Sequence, residues 1–227
     1  MSRIGLLMLV VLAGCATGSV SPAQDASPQG SGEAVAQEKR AETDLVAPGY
    51  GTLRQDEFTV SLRSGALLIK VTPLTESVIR LAAPDTYDRL HALAESRRSE
   101  AAAATLGVEP ELFLVSFFSY EPNVEFQPED LQLVQRGRLL RARTVLPVTP
   151  GWGKQRLQQQ ETQIAVYAFG EPIDYEQLLV VRYGLEESGG WDRIIRVLEV
   201  ERAKVRARTP AGSGGGPEAE PDSGSGR

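Results

Sequence analysis

Four arginines, Arg136, Arg138, Arg141 and Arg143, fall within eight residues of one another. Guanidinium groups carry planar N–H forks that match carboxylate and phosphate oxygens, so a hairpin displaying them is a candidate array for an anionic ligand. The alternative use is a solvated strand face whose arginines pair with Glu129 and Asp130 or discourage edge pairing. Trp152 stands between Gly151 and Gly153. An aromatic in such a turn serves as a contact residue for a partner or a glycan, or folds back to cover a sheet edge.

His91 is the only imidazole in the chain, with Asp88 and Glu95 at i−3 and i+4. That spacing could seat a metal or tune a proton-transfer group. Without a second His, carboxylates alone would have to complete a metal site, so a structural or surface role is expected. Paired carboxylates occur at Asp56-Glu57, Glu129-Asp130, Glu186-Glu187 and Glu199/Glu201. Acid–base catalysis needs two carboxyls in different environments at a defined separation, and neighbours on a strand point to opposite faces. No G-x-S-x-G, Ser-x-x-Lys, phosphate-loop or dinucleotide pattern is present. These observations predict a protein without enzymatic activity, metal or cofactor.

The sole cysteine, Cys15, closes a segment that starts with Arg3 and continues through an apolar run from Ile4 to Leu12. A positive start, a short apolar core and small residues at its end are the marks of an export signal. Nine residues at 1.5 Å rise cannot cross a hydrocarbon core of ~30 Å. The end of the segment, Leu12-Ala13-Gly14-Cys15, resembles the lipobox of bacterial lipoproteins. That resemblance implies removal of residues 1–14, acylation of Cys15 and insertion of its chains into membrane lipid. One acyl chain holds reversibly, whereas two or more hold stably. Ala16 follows the cysteine where an Asp would resemble an inner-membrane retention signal. The implied location is the cell envelope, and in a diderm the outer membrane facing the periplasm.

Residues 15–47 are rich in Ala, Gly, Ser, Pro, Gln and Glu. Such a stretch has too little apolar surface to offset its ordering entropy and reads as a tether with a mean reach of about 30 Å. Residues 209–227 have the same character. Between them, residues 48–208 read as one β-rich globular domain. The chain carries a net charge of −6, most of it in the two tails. An acidic balance argues against nucleic acid as a partner.

Within the domain, Glu57–Leu62 and Ala66–Leu74 predict strands joined at Ser64-Gly65, and Thr75 opens a short helical turn through Ala82. An inserted helix is predicted near 84–106, opened by Pro84 and stopped by Gly107 and Pro110. Leu112–Tyr120 is apolar on both alternating faces, which suits a central strand buried on both sides. Leu131–Val134 and Leu139–Leu146 flank a hairpin at Gln135-Arg136-Gly137-Arg138, placing Arg141 and Arg143 on one strand face. Ile164–Phe169 and Leu178–Tyr183 predict two further strands. A C-terminal helix near 191–208 carries Trp191, Ile194, Ile195 and Leu198 as its apolar stripe, with six basic residues from Arg193 to Arg208 around it. The expected fold is mainly β with flanking helices: an antiparallel sandwich of about seven strands, with α+β as the alternative. Residues 112–183 resemble the small immunoglobulin-like domains found on bacterial lipoproteins.

These readings converge on an envelope lipoprotein. Its β-rich domain would act as a binding module for a protein or an anionic envelope polymer. A cell-wall hydrolase using carboxylates and an assembly factor for an outer-membrane machine are the alternatives.

Overall fold

In the computed structural model, residues 45–105 and 108–209 are described. Cys15, most of the tether and the C-terminal tail after Thr209 lie outside them. Two antiparallel sheets carry most of the domain. The larger has strands in the order β1 (Val60–Ser64), β2 (Leu67–Pro73), β3 (Glu111–Ser119), β9 (Thr162–Phe169) and β7 (Thr144–Pro147). The smaller runs β11 (Glu186–Ser188), β10 (Leu179–Tyr183), β5 (Leu131–Gln135) and β6 (Arg138–Arg141). A two-stranded piece, β4 (Val124–Glu125) with β8 (Arg156–Leu157), stands beside them. The expected antiparallel sandwich with an inserted and a C-terminal helix is therefore present. Eleven strands are found among the described residues where about seven were expected, because several are only two to four residues long.

The chemistry of β3 fixes its place. Phe113, Val115 and Phe117 point one way and Leu112 and Leu114 the other, and all five are buried. Only a strand in the middle of a sheet with cover on both faces can be used this way; β3 is indeed third of five. On the inner face, Phe117 meets Phe126 at 4.7 Å and Tyr183 of the smaller sheet at 5.6 Å between ring centroids. Tyr183 also binds the far side of the core, its hydroxyl accepting from Gln127 N at 2.8 Å.

The outer face at the other end of the larger sheet faces the inserted helix, α2 (Pro84–Ala104), which follows the single turn α1 (Glu76–Ile79). Proline at the first helical position supplies a fitted φ and lacks the N–H that would be unpaired there. Leu90, Ala94 and Ala101 are its buried residues, and Arg97 reaches the Pro147 carbonyl on β7 at 3.2 Å. The helix stops at Ala104, short of position 106. There the Thr105 hydroxyl turns back onto the carbonyls of Ala101 and Val108 at 3.3 and 2.6 Å, competing with further helical bonding.

The C-terminal helix α3 (Trp191–Arg208) buries Trp191, Ile194, Leu198, Glu201 and Val205. That 3-4-3-4 spacing is one stripe of a 3.6-residue helix, and it packs on the domain. A carboxylate inside the stripe is held by the segment that opens the fold. Glu201 accepts from Thr52 N at 3.0 Å, Thr52 Oγ1 at 2.8 Å and Arg208 at 3.1 Å. Gly51 permits the approach: a Cβ there would lie 2.2 Å from the Leu81 carbonyl carbon. Val46, at the end of the expected tether, is already buried.

Candidate binding surface

The hairpin at Gln135–Arg138 forms as its sequence asks. Arg136 and Gly137 both have positive φ, at 51° and 72°, the geometry that matches the twist of a two-residue hairpin. Arg136 is thereby turned to Asp174, 2.8 Å away. Beneath it the buried Gln135 amide grips the same loop, donating to the Asp174 carbonyl at 2.7 Å and accepting from its N–H at 3.0 Å. The partner of the turn arginine is thus Asp174, and neither Glu129 nor Asp130.

Beyond the turn, the expectation of one continuous strand from Leu139 to Leu146 is corrected. The chain leaves the smaller sheet after Arg141, crosses at Ala142-Arg143 and enters the larger sheet at Thr144. β6 pairs with β5 and β7 with β9, so Arg141 and Arg143 do not share a strand face. The Arg143 N–H donates to the Ala168 carbonyl at 2.7 Å. Its side-chain stem lies over Gly170, where a Cβ would meet Arg143 Cγ at 3.2 Å.

Arg138 and Arg141 both lie on β6, the outermost strand of its sheet, but three residues apart they project to opposite faces, and only Arg141 shares the outer face with Leu139. Both are exposed, and neither has a carboxylate partner among the described residues. Register places Arg141 across Gln132 from Arg182, whose own charge is met by Glu187. The next cross-strand row on that outer face is apolar: Val180, Val134 and Leu139. Leu139 is 43% exposed. A strip of aliphatic surface bordered by the uncompensated Arg141 guanidinium on an edge strand can receive a ligand that is both anionic and partly apolar.

Trp152 is corrected in the opposite direction. It is 6% exposed, packed edge-on against Phe126 at 5.2 Å, Phe117 at 5.8 Å and Tyr167 at 6.4 Å. The ring folds back into the core and offers no contact surface. The glycines beside it serve the turn into its short 3-10 segment, and Gly151 lies against the Gln163 side chain.

His91 finds a partner that local spacing did not indicate. Its Nδ1 lies 2.7 Å from Glu76 Oε1 on α1, and its ring stacks on Tyr87 at 5.2 Å. Glu76 also receives Arg80 at 2.5 Å and the Tyr87 hydroxyl at 3.3 Å. Burial pushes the Glu76 carboxyl upward, but the bonds from Arg80 and His91 outweigh it and hold the carboxyl below its usual range. The cluster ties α1 to α2. Among the described residues no group of His, Cys, Asp and Glu is arranged to hold a metal ion.

The paired carboxylates go separate ways. Glu57 bonds the Arg54 N–H at 2.8 Å while Asp56 stays exposed beside the Arg54 guanidinium; Glu187 meets Arg182 while Glu186 is exposed; Glu201 is buried while Glu199 is exposed. A different acid was not visible in the sequence. Glu111 accepts from the Tyr175 hydroxyl at 2.8 Å. Burial raises its carboxyl above the usual value despite that bond, and Tyr175 is itself pushed well upward by burial and by Glu111.

The fold and this surface define an antiparallel β-sandwich domain with two packed helices and a basic, partly apolar edge. Comparison with protein-family models, curated proteins and solved structures gives no match.

Proposed function

We infer that the chain is an envelope lipoprotein. It is held in membrane lipid through acylated Cys15, with residues 1–14 removed and a tether to residue 47, and its domain is a binding module. The partner is an anionic envelope protein or polymer, met at the β6 edge. One observation carries the binding half of this reading. Arg138 and Arg141 stand exposed on an outermost strand with no carboxylate partner among the described residues, whereas Arg136 and Arg182 beside them are neutralised. The unpaired Arg141 guanidinium on the face of exposed Leu139, with Arg138 unpaired at the turn end of the same strand, favours a ligand that brings the missing negative charge. The anchoring half rests on the Leu12-Ala13-Gly14-Cys15 resemblance.

The test is binding of the full chain to anionic envelope polymers and to envelope extract across a salt series. Arg138→Ala/Arg141→Ala should lower affinity about tenfold, as expected for losing two solvent-exposed ion pairs of roughly 0.7 kcal/mol each, and should flatten the salt dependence. The variant should keep its melting temperature, because both side chains are exposed. Unchanged affinity in a folded double variant removes this edge as the binding surface.

A further inference from the structure

A second concave surface lies on the larger sheet, on the face opposite Leu62, Ile69 and Phe117. Ser61, Lys70, Ser116 and Ile164 form one cross-strand row there, each opposite the next on adjacent strands. Together with flanking residues they line a cleft of about 380 Å³, within the range of small-ligand pockets. One wall is built by a chain of hydrogen bonds. Arg89 of α2 donates to Gln55 Oε1 at 2.8 Å, Gln55 Nε2 donates to Thr72 Oγ1 at 3.1 Å, and the Thr72 and Thr59 hydroxyls lie 2.7 Å apart. Thr59 and Thr72 are buried, so this wall is fixed before any ligand arrives.

Two cations, Lys70 and Arg89, line the cleft. Lys70 has no ion-pair partner among the described residues, and Arg89 meets only a neutral amide. The Thr59 and Thr72 hydroxyls are engaged in the wall, and Ser61, Ser116 and Thr162 add hydroxyls that both donate and accept. Asp56, also in the lining and beside the Arg54 guanidinium at 3.6 Å, accepts and does not donate. A bare inorganic anion would use the two cations and leave the hydroxyls and the Asp56 carboxylate without a partner. A sugar that carries one acidic group uses all of them: cations for the acid, hydroxyls and Asp56 for the sugar hydroxyls, and Leu114 and Ile164 for its C–H face. Among the described residues no aromatic ring lines the cleft, which leaves a nucleobase without a stacking surface.

We propose that this cleft binds a single anionic saccharide unit, with Lys70 and Arg89 receiving its acidic group. The acid is a carboxylate or a phosphate, and both are met by the same cations. The site is separate from the β6 edge and does not depend on it.

The experiment is calorimetry and saturation-transfer NMR on the full chain in detergent with glucuronate, glucose 6-phosphate, glucose and inorganic phosphate at millimolar concentrations. At least one anionic sugar should bind about tenfold more tightly than glucose, and the better of the two identifies the acid as carboxylate or phosphate. Inorganic phosphate alone should bind more weakly than glucose 6-phosphate. Lys70→Gln should abolish the advantage over glucose, and Arg89→Gln should reduce it. Arg138→Ala/Arg141→Ala should leave it intact, which separates failure here from failure at the edge. The proposal is overturned by saturable binding of neither anionic sugar. Equal affinity for glucose, phosphate binding as tightly as the sugar phosphate, or an unchanged preference in a folded Lys70→Gln variant would overturn it as well.

Discussion

Replacing Glu201 with Ala should be among the most damaging single changes in the domain. The carboxylate is 1% exposed and receives both the N–H and the hydroxyl of Thr52. Hydrogen bonds to a charged group contribute about 1.5–3 kcal/mol each. The contributions of Arg208 and Lys204 are smaller, about 0–1 kcal/mol each, because both cations are largely in solvent. Truncation also leaves the Thr52 donors without their acceptor. The expected cost is about 3–5 kcal/mol, a large part of the ~5–15 kcal/mol that holds a typical domain. Urea unfolding followed by tryptophan fluorescence reads it directly, since Trp191 opens the same helix.

The pH dependence gives an independent check. Burial raises the Glu201 carboxyl, but the bonds from Thr52 and Arg208 and the Arg208 charge bring it below its ordinary value of 4.5. A group with a depressed folded value stabilises fully above its unfolded value and loses that contribution as pH falls through the folded one. The parent protein should therefore lose stability on acidification below about pH 5 more steeply than Glu201→Gln, which has no proton to gain. A Glu201→Ala cost below about 1 kcal/mol, or parallel pH curves for the parent and Glu201→Gln, refutes the role assigned to this carboxylate.

Trp152→Ala should cost about 3–5 kcal/mol by opening a cavity among three aromatic rings, measured by the same unfolding assay; a change within 0.5 kcal/mol would restore it as a surface residue. Glu111 behaves oppositely to Glu201. Its folded value is raised by burial, so its contribution is present at acid pH and is lost as pH rises through that value. Glu111→Gln should consequently match the parent near pH 4 and equal or exceed it at pH 7, as read from paired thermal melts. A loss confined to pH 7 contradicts that sign.

Local sequence carried the elements whose signals are themselves local. The two-sided apolar run at Leu112–Tyr120 marked the central strand, and Arg136-Gly137 marked the turn between β5 and β6. The first hairpin turns one residue later than Ser64-Gly65, at Gly65-Ala66, because Ser64 still pairs with Leu67. The stripe of α3 was readable too, and Glu201 sits in it three residues after Leu198. The break at Ala142-Arg143 was hidden because Leu140, Ala142, Thr144 and Leu146 keep a strand alternation across it. The choice of β5 for one half and β9 for the other is made by tertiary pairing. Trp152 has glycine neighbours that look like an exposed loop, while its burial comes from Phe117, Phe126 and Tyr167, all distant in sequence. The Glu76–His91 contact and the Arg89–Gln55–Thr72 relay join separate elements, and no spacing within one helix or strand encodes them.

The most direct measurement of the proposed role is the mass of the N-terminal peptide from protein isolated out of cell membranes. A lipid-anchored protein gives a chain beginning at Cys15 with a diacylglycerol on its sulfur, partitioning into the detergent phase, and loss of both features in Cys15→Ser. A chain that retains Met1 with an unmodified cysteine, or that begins after residue 15, contradicts the lipid anchor.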